Sequence, residues 1–219
     1  MSVWVFNEPQ YDKKYPHLHY EFKYPSGATG RMWSIPVEML AGIYEARIGK
    51  KPESFFDCGA AIGMLMYQAE TLGMTARGID MQHYPDVAGW TGGRELTQCL
   101  HTPPQKANIE IVSLLDYEKP IDADLAYCNG TLTYFTAIAA LDTALAKLHA
   151  AKMLIAIHDT SEEAAAAEAE YGKDLTRGGS RLIRPRGWWL RRIAKAGFHV
   201  DYDEKCSCFC AVSAGRGRG

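Results

Sequence analysis

The sequence predicts an α/β fold in which helices cover both faces of a doubly wound, mostly parallel sheet, giving a three-layer sandwich. Short apolar runs alternate with amphipathic runs of helical period from residue 54 to residue 197, which is the pattern of strands joined by crossover helices. The stretch 198–212 instead contains two strand-like runs with no helix between them, and such a pattern predicts a C-terminal antiparallel pair.

The first part of the chain is expected to lie outside this alternation. Residues 1–30 are aromatic and basic, contain three prolines and show no helical period, so we expect an irregular extension. A helix should follow, with Ser34 as its N-cap, Pro36 in its first turn and Gly49 at its end. We therefore divide the chain into an extension with a helix that packs on the domain (1–50), the main domain (51–213) and a disordered tail (214–219).

Within the main domain each element follows from the period of its apolar residues. Residues 83–107 contain Gly and Pro pairs and are expected to form a loop-rich insert. Strands are predicted at 54–57, 75–80, 109–112, 123–127, 153–157, 198–202 and 206–212, and helices at 64–72, 134–150, 161–171 and 188–196.

Composition excludes several classes of protein. The 219 residues are 47% hydrophobic and 23% charged, with a net charge of −2, which is ordinary for a globular domain and gives no overall attraction to nucleic acid. No apolar run is long enough to span a membrane. The N-terminus lacks the pattern of a signal peptide. We expect a cytoplasmic protein without a membrane segment; no pattern indicates its oligomeric state.

Six cysteines are present, and three of them alternate between Cys206 and Cys210. On a strand these three side chains share one face. One intervening residue is too few for a zinc hairpin, which uses two to four. The cysteines are therefore expected to be buried, reduced thiols.

The most informative stretch runs from Asp57 to Gly63. It joins an apolar run to an amphipathic run that ends at Gly73, which predicts a strand, a glycine turn and a helix. Asp80 lies at the end of the next predicted strand, 17 residues after Gly63. This is the layout of a nucleotide-binding βαβ unit, in which an acid about 20 residues beyond the turn binds ribose hydroxyls.

The details of the turn indicate which nucleotide it would bind. A dinucleotide turn starting at Gly59 needs glycines at 61 and 64, where this chain has Ala61 and Met64. A carboxylate at Asp57 would repel a pyrophosphate and attract an ammonium or sulfonium group. These features disfavour a nicotinamide-dependent oxidoreductase. They favour S-adenosylmethionine (SAM), which carries both cations and no phosphate.

The Asp-x-Gly-x-x-x-Gly turn with a second-strand acid resembles the class I SAM-dependent methyltransferases, although an ordinary strand–helix turn remains the alternative. The resemblance implies a Rossmann-like fold. It also implies that the turn wraps the methionine part of SAM, that Asp80 binds the ribose hydroxyls, that Met81 flanks the adenine and that Asp116 binds the adenine amino group. The alternative for Asp116 is a solvated loop acid. The implied cofactor-binding residues are Asp57, Cys58, Gly59, Ala60, Gly63, Asp80, Met81, Leu115, Asp116 and Asn129.

Two further segments resemble a subgroup of that family, the macrocin O-methyltransferase type. They are 127–134 and 155–160. In that subgroup acids at these positions hold a divalent metal, but this chain has Asn129 for the first acid and Leu132 for the expected His. An amide brings no charge to a hard cation. A metal, whose ligands would be Asn129 and Asp159, is therefore disfavoured.

His158 is then the candidate general base, because the ordinary pKa of histidine lies near neutrality. The alternative is that His158 and Asp159 cap the helix that follows them. The resemblance implies a catalytic set at the ends of two strands: His158, Asp159, Asn129 and Tyr134.

Nucleic acid is disfavoured as the substrate. The segment 129–132 lacks the Pro-Pro motif with which DNA amino-methyltransferases hold a flipped base, and the basic stretch 177–195 is more typical of a solvated face. The sequence therefore predicts an enzyme that methylates an oxygen or nitrogen of a small-molecule acceptor. The alternative is a SAM-binding module without turnover that binds a protein partner or nucleic acid.

Overall fold

The structure is a computed structural model. It describes residues 10–11, 18–23, 29–60, 63–81, 109–158, 160–162, 165 and 182–215. The chain divides into two compact units, Met1–Tyr117 and Glu118–Gly219. The expected insert at 83–107, most of the expected helix at 161–171 and all but two residues of the expected tail lie outside the described residues.

The N-terminal extension contains regular structure. Strands β1 (Gln10–Tyr11), β2 (Leu18–Lys23) and β3 (Thr29–Ser34) form an antiparallel sheet, with Leu18 opposite Ser34 and Lys23 opposite Thr29. The expectation of an irregular segment was wrong for these residues. The physical reason is the two-residue alternation of Leu18, Tyr20 and Phe22, which favours a strand, while the prolines fall outside the strands.

Helix α1 (Val37–Ile48) begins after Pro36 and ends at Gly49, whose φ of +84° closes the helix as expected. Ser34 is not the N-cap, because it belongs to β3. Instead, the side-chain oxygen of Gln68 accepts a hydrogen bond from the Val37 N–H (3.1 Å). A neighbouring segment thus satisfies a donor that the helix itself leaves unpaired.

The rest of the first unit is a parallel βαβ arrangement. Strand β4 (Ser54–Cys58), helix α2 (Met64–Thr71), strand β5 (Thr75–Asp80) and strand β6 (Ile109–Ile111) follow the predicted order. Both strand pairs are parallel, with Asp57 opposite Gly78 and Asp80 opposite Ile111. The carboxyl ends of β4 and β5 therefore lie side by side at one edge of the sheet.

The second unit opens with strand β7 (Leu125–Asn129), a 3₁₀ helix (Thr131–Tyr134), helix α3 (Ile138–Leu148) and strand β8 (Met153–Ile157). Strand β7 ends two residues later than predicted, because the buried side chain of Cys128 extends the apolar run. Helix α3 begins four residues later than predicted. Ala137 adopts an extended conformation before it, and Tyr134 therefore lies on the 3₁₀ helix.

The second unit ends with helix α4 (Arg186–Lys195) and the antiparallel pair β9 (Phe198–Asp203) and β10 (Cys208–Ser213). Cys206 lies in the turn between these strands, not on the predicted strand. The Asp203 carboxylate accepts hydrogen bonds from the Lys205 and Cys206 N–H groups and holds the turn. The five described cysteines are free and buried.

Seven strands form one mixed sheet in the order β6-β5-β4-β7-β8-β10-β9. β7 and β8 are parallel, and β10 is antiparallel to both β8 and β9. The first four residues of β8 and the inner face of α3 are fully buried and supply much of the core of the second unit. The predicted α/β class, with its mostly parallel sheet and C-terminal antiparallel pair, is confirmed.

Candidate active site

The turn after β4 depends on two glycines. Gly59 has φ +89° and Gly63 has φ +75°, a left-handed conformation that side chains disfavour. Gly63 is also the N-cap of α2. The sequence therefore places glycine at the two described positions where this turn needs left-handed backbone. Ala61 and Ile62, between them, lie outside the described residues.

The described N–H groups of the turn point back into the protein. The Gly59 and Ala60 N–H groups both donate to the carbonyl oxygen of Ile79 on β5 (2.9 Å each), and the Gly63 N–H donates to the Ala60 carbonyl oxygen (2.7 Å). A turn that binds phosphate instead directs consecutive N–H groups at the anion. These three donors are already used, so this part of the turn does not offer them to a phosphate.

Two carboxyl groups lie at the ends of β4 and β5. Asp57 is 3% exposed and Asp80 is 8% exposed. Burial raises the pKa of Asp57 to about 8, and the negative charge of Asp80 adds to the rise. Asp57 therefore holds a proton at neutral pH in the free protein, and a cation beside it would favour the ionised form. Asp57 would therefore have to lose its proton in order to attract a cation as expected.

Gly78 is a residue of this site that sequence reasoning missed. A Cβ added to it would lie 2.7 Å from the Met66 sulfur, 2.8 Å from the Ala60 Cβ and 2.9 Å from the Asp57 carbonyl oxygen. The turn can therefore lie against β5 only because position 78 has no side chain. A glycine inside a predicted strand often marks such a close approach, and that signal was present in the sequence.

The other predicted cofactor residues of the first unit surround this turn or follow β5 and β6. Cys58 and Ala60 are buried, whereas Met81 is 57% exposed directly after Asp80. Leu115 is half-buried and Asp116 is exposed, in a turn where the Ser113 hydroxyl accepts a hydrogen bond from the Leu115 N–H. Met81 thus offers an accessible apolar surface beside a buried acid.

In the second unit, polar groups lie at the carboxyl ends of β7 and β8. Asn129 is the half-buried last residue of β7. The next residue, Gly130, has φ +70°, and its N–H donates to the Ile157 carbonyl oxygen (2.7 Å), which ties the two strand ends together. Tyr134 is 54% exposed on the 3₁₀ helix, so its hydroxyl-bearing ring is accessible from this edge.

His158 is only 5% exposed. Its ring stacks on Phe209 (centroids 4.6 Å apart, planes at 10°) and lies 3.9 Å from the Trp189 ring. Among the residues that the structure describes, neither ring nitrogen of His158 has a hydrogen-bond partner. Burial lowers its pKa to about 3, which makes it a weak proton acceptor in this conformation. Asp159 lies outside the described residues.

Among the described side chains, no group of three or more His, Cys, Asp or Glu residues is arranged to hold a metal ion. No helix in the described part of the chain is long and apolar enough to cross a membrane.

Two arginines of the basic stretch form ion pairs: Arg186 with Glu204 and Arg192 with Asp142, both at 2.6 Å.

Comparison with known proteins shows that this chain shares its fold with several solved structures. No protein-family profile matches the chain, and neither does any curated protein. Solved structures do match. The sugar N-methyltransferase KedS8 from Streptoalloteichus sp ATCC 53650 has a TM-score of 0.58 at 12% identity, covering 80% of this chain and 85% of KedS8.

Two further structures were solved with the cofactor or its product bound. Magnesium protoporphyrin IX methyltransferase (ChlM) from Synechocystis PCC 6803, with bound S-adenosylhomocysteine (SAH), has a TM-score of 0.58 at 14% identity, covering 81% of this chain and 82% of ChlM. SAM-bound CalS10, an amino pentose methyltransferase from Micromonospora echinaspora, has a TM-score of 0.58 at 13% identity, covering 81% and 89%. The chain has the fold of SAM-dependent methyltransferases. Identities this low establish the fold alone.

Proposed function

We propose that this protein is a SAM-dependent methyltransferase that methylates an oxygen or nitrogen of a small-molecule acceptor. The observation that carries the proposal is the turn after β4, where two N–H groups are turned inward to Ile79 beside the buried carboxyl groups of Asp57 and Asp80. Such a turn suits a cationic ligand better than a phosphate. The likeness in fold to methyltransferases of sugars and a porphyrin supports the same assignment.

The cofactor would be held mainly by the first unit. The buried turn would enclose the methionine part of SAM, with Asp57 available to its ammonium group. Asp80 would accept hydrogen bonds from the ribose hydroxyls, and the exposed Met81 would pack against the adenine. The full set of proposed contacts is Asp57, Cys58, Gly59, Ala60, Gly63, Asp80, Met81, Leu115, Asp116 and Asn129.

When bound, SAM supplies an electrophilic methyl group on a sulfonium. The chain's own contribution would be mostly positioning, which can supply a large part of a rate enhancement for a two-reactant step. Asn129 and the accessible Tyr134 would orient the acceptor. His158 would take the acceptor's proton only if its surroundings raise its pKa from about 3, because a general base works best when its pKa lies near the working pH.

Calorimetric titration with SAM and, in parallel, with NADH tests the proposal. We expect micromolar binding of SAM and none of NADH. In Asp80→Ala the affinity for SAM should fall about 30-fold, since hydrogen bonds to charged groups contribute roughly 1.5–3 kcal/mol. Asp201→Ala, which removes an exposed acid from β9, is the matched control and should bind SAM normally. Binding of NADH, or failure to bind SAM, would contradict the proposal.

A second candidate is a SAM-binding module without turnover that acts on a protein partner or nucleic acid. The observation that favours it is the low proton affinity of the buried His158, together with Asn129 and Leu132 in place of an acid and a histidine. The two candidates differ in turnover. Formation of SAH with any member of a panel of alcohols and amines, with and without Mg²⁺, would exclude the inactive module.

A further inference from the structure

The last three residues of β5 each interact differently with the end of β4 or with the turn that follows it. Gly78 provides space, the Ile79 carbonyl oxygen accepts two hydrogen bonds from the turn, and Asp80 acts on Asp57 through its charge. Ile79 accepts these two bonds through its backbone, so this contact depends on how closely the turn approaches β5. The distance between the turn and β5 is limited by the side chain at position 78.

The three atoms nearest to a Cβ at position 78 differ in how easily they could move. The Met66 sulfur ends a flexible side chain and could rotate away. The Ala60 Cβ and the Asp57 carbonyl oxygen belong to the turn and to β4, so they could move only with the backbone. Both would lie closer than 3.0 Å, whereas ordinary contacts of a Cβ are 3.4–4 Å. A side chain here would therefore displace the turn.

We propose that Gly78 is a positioning residue for the cofactor turn, because its missing side chain lets Gly59 and Ala60 reach the Ile79 carbonyl oxygen. This inference rests on the proposed binding of SAM. A shift of a few tenths of an ångström would stretch both 2.9 Å hydrogen bonds toward the limit of about 3.2 Å at which such bonds weaken. The turn would then present its ligand-facing atoms in the wrong place.

A purely structural role is the competing explanation. Gly78 also lies against Met66, a fully buried residue of α2. If the glycine only accommodated this helix, a side chain at position 78 would lower stability and leave the turn unchanged. The two roles predict different responses when Ala60 or Met66 is altered as well, because only Ala60 belongs to the turn.

The test compares Gly78→Ala with Gly42→Ala in the full chain. Gly42 lies on α1 at an ordinary φ with no atom within 4 Å of an added Cβ, so it receives the same substitution without a collision. We expect Gly78→Ala to weaken SAM binding about tenfold or more, since misplacement by about 1 Å can cost ~100-fold. Without ligand, NMR should show faster hydrogen exchange at the Gly59 and Ala60 amides. Gly42→Ala should change neither quantity.

Two double variants separate the explanations. Ala60→Gly/Gly78→Ala removes one of the two backbone-linked collisions and should recover part of the lost affinity. Met66→Ala/Gly78→Ala removes the side-chain atoms that would collide with position 78 and should recover none. Unchanged SAM affinity and amide exchange in Gly78→Ala would overturn the inference. Recovery of SAM affinity in Met66→Ala/Gly78→Ala would also overturn it. A chain that stays unfolded in both double variants would also count against it, because the proposed effect is confined to the turn.

The amide exchange separates this inference from the proposed function. If the wild-type protein does not bind SAM, the proposed function fails, and the exchange rates at Gly59 and Ala60 still show whether Gly78 positions the turn. If SAM binds to wild type and to Gly78→Ala with equal affinity, the proposed function stands and the positioning role fails.

Discussion

Asp57 is a buried acid whose protonation should change when a cation binds beside it. Its carboxyl group is buried, and its pKa is raised to about 8 by burial and by Asp80. Because the unfolded chain ionises near pH 3.8, the folded state loses stability as the pH rises from about 4 to 8. A bound cation would offset part of this loss by favouring the ionised carboxylate.

SAM binding should therefore release a proton at neutral pH. We expect the affinity to rise about tenfold between pH 6.5 and 8, because the ionised form of Asp57 becomes the major one near its pKa. Calorimetry in two buffers with different ionisation enthalpies would measure the released proton directly. Asp57→Asn should abolish both effects, and a pH-independent affinity in the wild-type protein would show that Asp57 does not face the cation.

His158 should make the fold sensitive to acid. Its pKa is lowered from 6.5 to about 3 by burial, so protons bind preferentially to the unfolded chain below pH 6.5, and stability falls as the pH decreases. We expect a loss of about 2 kcal/mol between pH 7 and pH 5 from this residue. Asp57 changes stability in the opposite sense over this range, so urea unfolding of wild type and His158→Leu at both pH values isolates the contribution of His158 as the difference between the two proteins. An identical pH dependence of stability in the two proteins would refute the assignment.

The residues at the carboxyl ends of β4 and β5 could be predicted because their signals are local. Gly59, Gly63 and Asp80 belong to one short pattern with fixed spacing. The state of His158 could not be predicted in the same way. Its burial depends on Trp189 and Phe209, which reach it from α4 and β10, and no local pattern encodes those contacts.

At the scale of elements, the strands with continuous apolar runs were predicted within a residue or two. The predicted boundaries were wrong where hydrogen bonds from side chains to the backbone, and not the period of apolar residues, determine where an element begins. The Asp203 carboxylate holds the turn before β10, and Gln68 satisfies the first N–H of α1 in place of Ser34. The N-terminal sheet was not predicted because three prolines in residues 1–30 argue against regular structure, whereas the alternation within β2 favours a strand.

One ion pair links the amino ends of β7 and β8, at the end of the second unit opposite its polar edge. The Lys152 ammonium lies 2.6 Å from the buried carboxylate of Asp124. Lys152→Met should lower the free energy of unfolding by about 1–3 kcal/mol, because it removes a charged partner from a buried acid. Chemical denaturation would measure the change. SAM affinity should stay the same, and a large loss of affinity would show that this pair also supports the site.

At the scale of the whole molecule, the class of the fold could be predicted but the order of the sheet could not. Alternating strands and helices predict parallel pairing, and the C-terminal hairpin follows from its lack of a crossover helix. That β10 lies between β8 and β9 depends on pairings between distant segments. Such contacts leave no periodic trace in any one stretch of sequence.

The inward hydrogen bonds of the turn also limit how this scaffold could be redesigned. Glycines at positions 61 and 64 would complete the Gly-x-Gly-x-x-Gly motif of dinucleotide-binding enzymes in the sequence. The Gly59 and Ala60 amides would still be committed to the Ile79 carbonyl oxygen, and the acid at position 57 would still stand beside the incoming phosphates. A change of cofactor class would therefore require changes in β5 as well as in the turn, because the two segments would act together in selecting the ligand. Replacing the loop alone would not be enough.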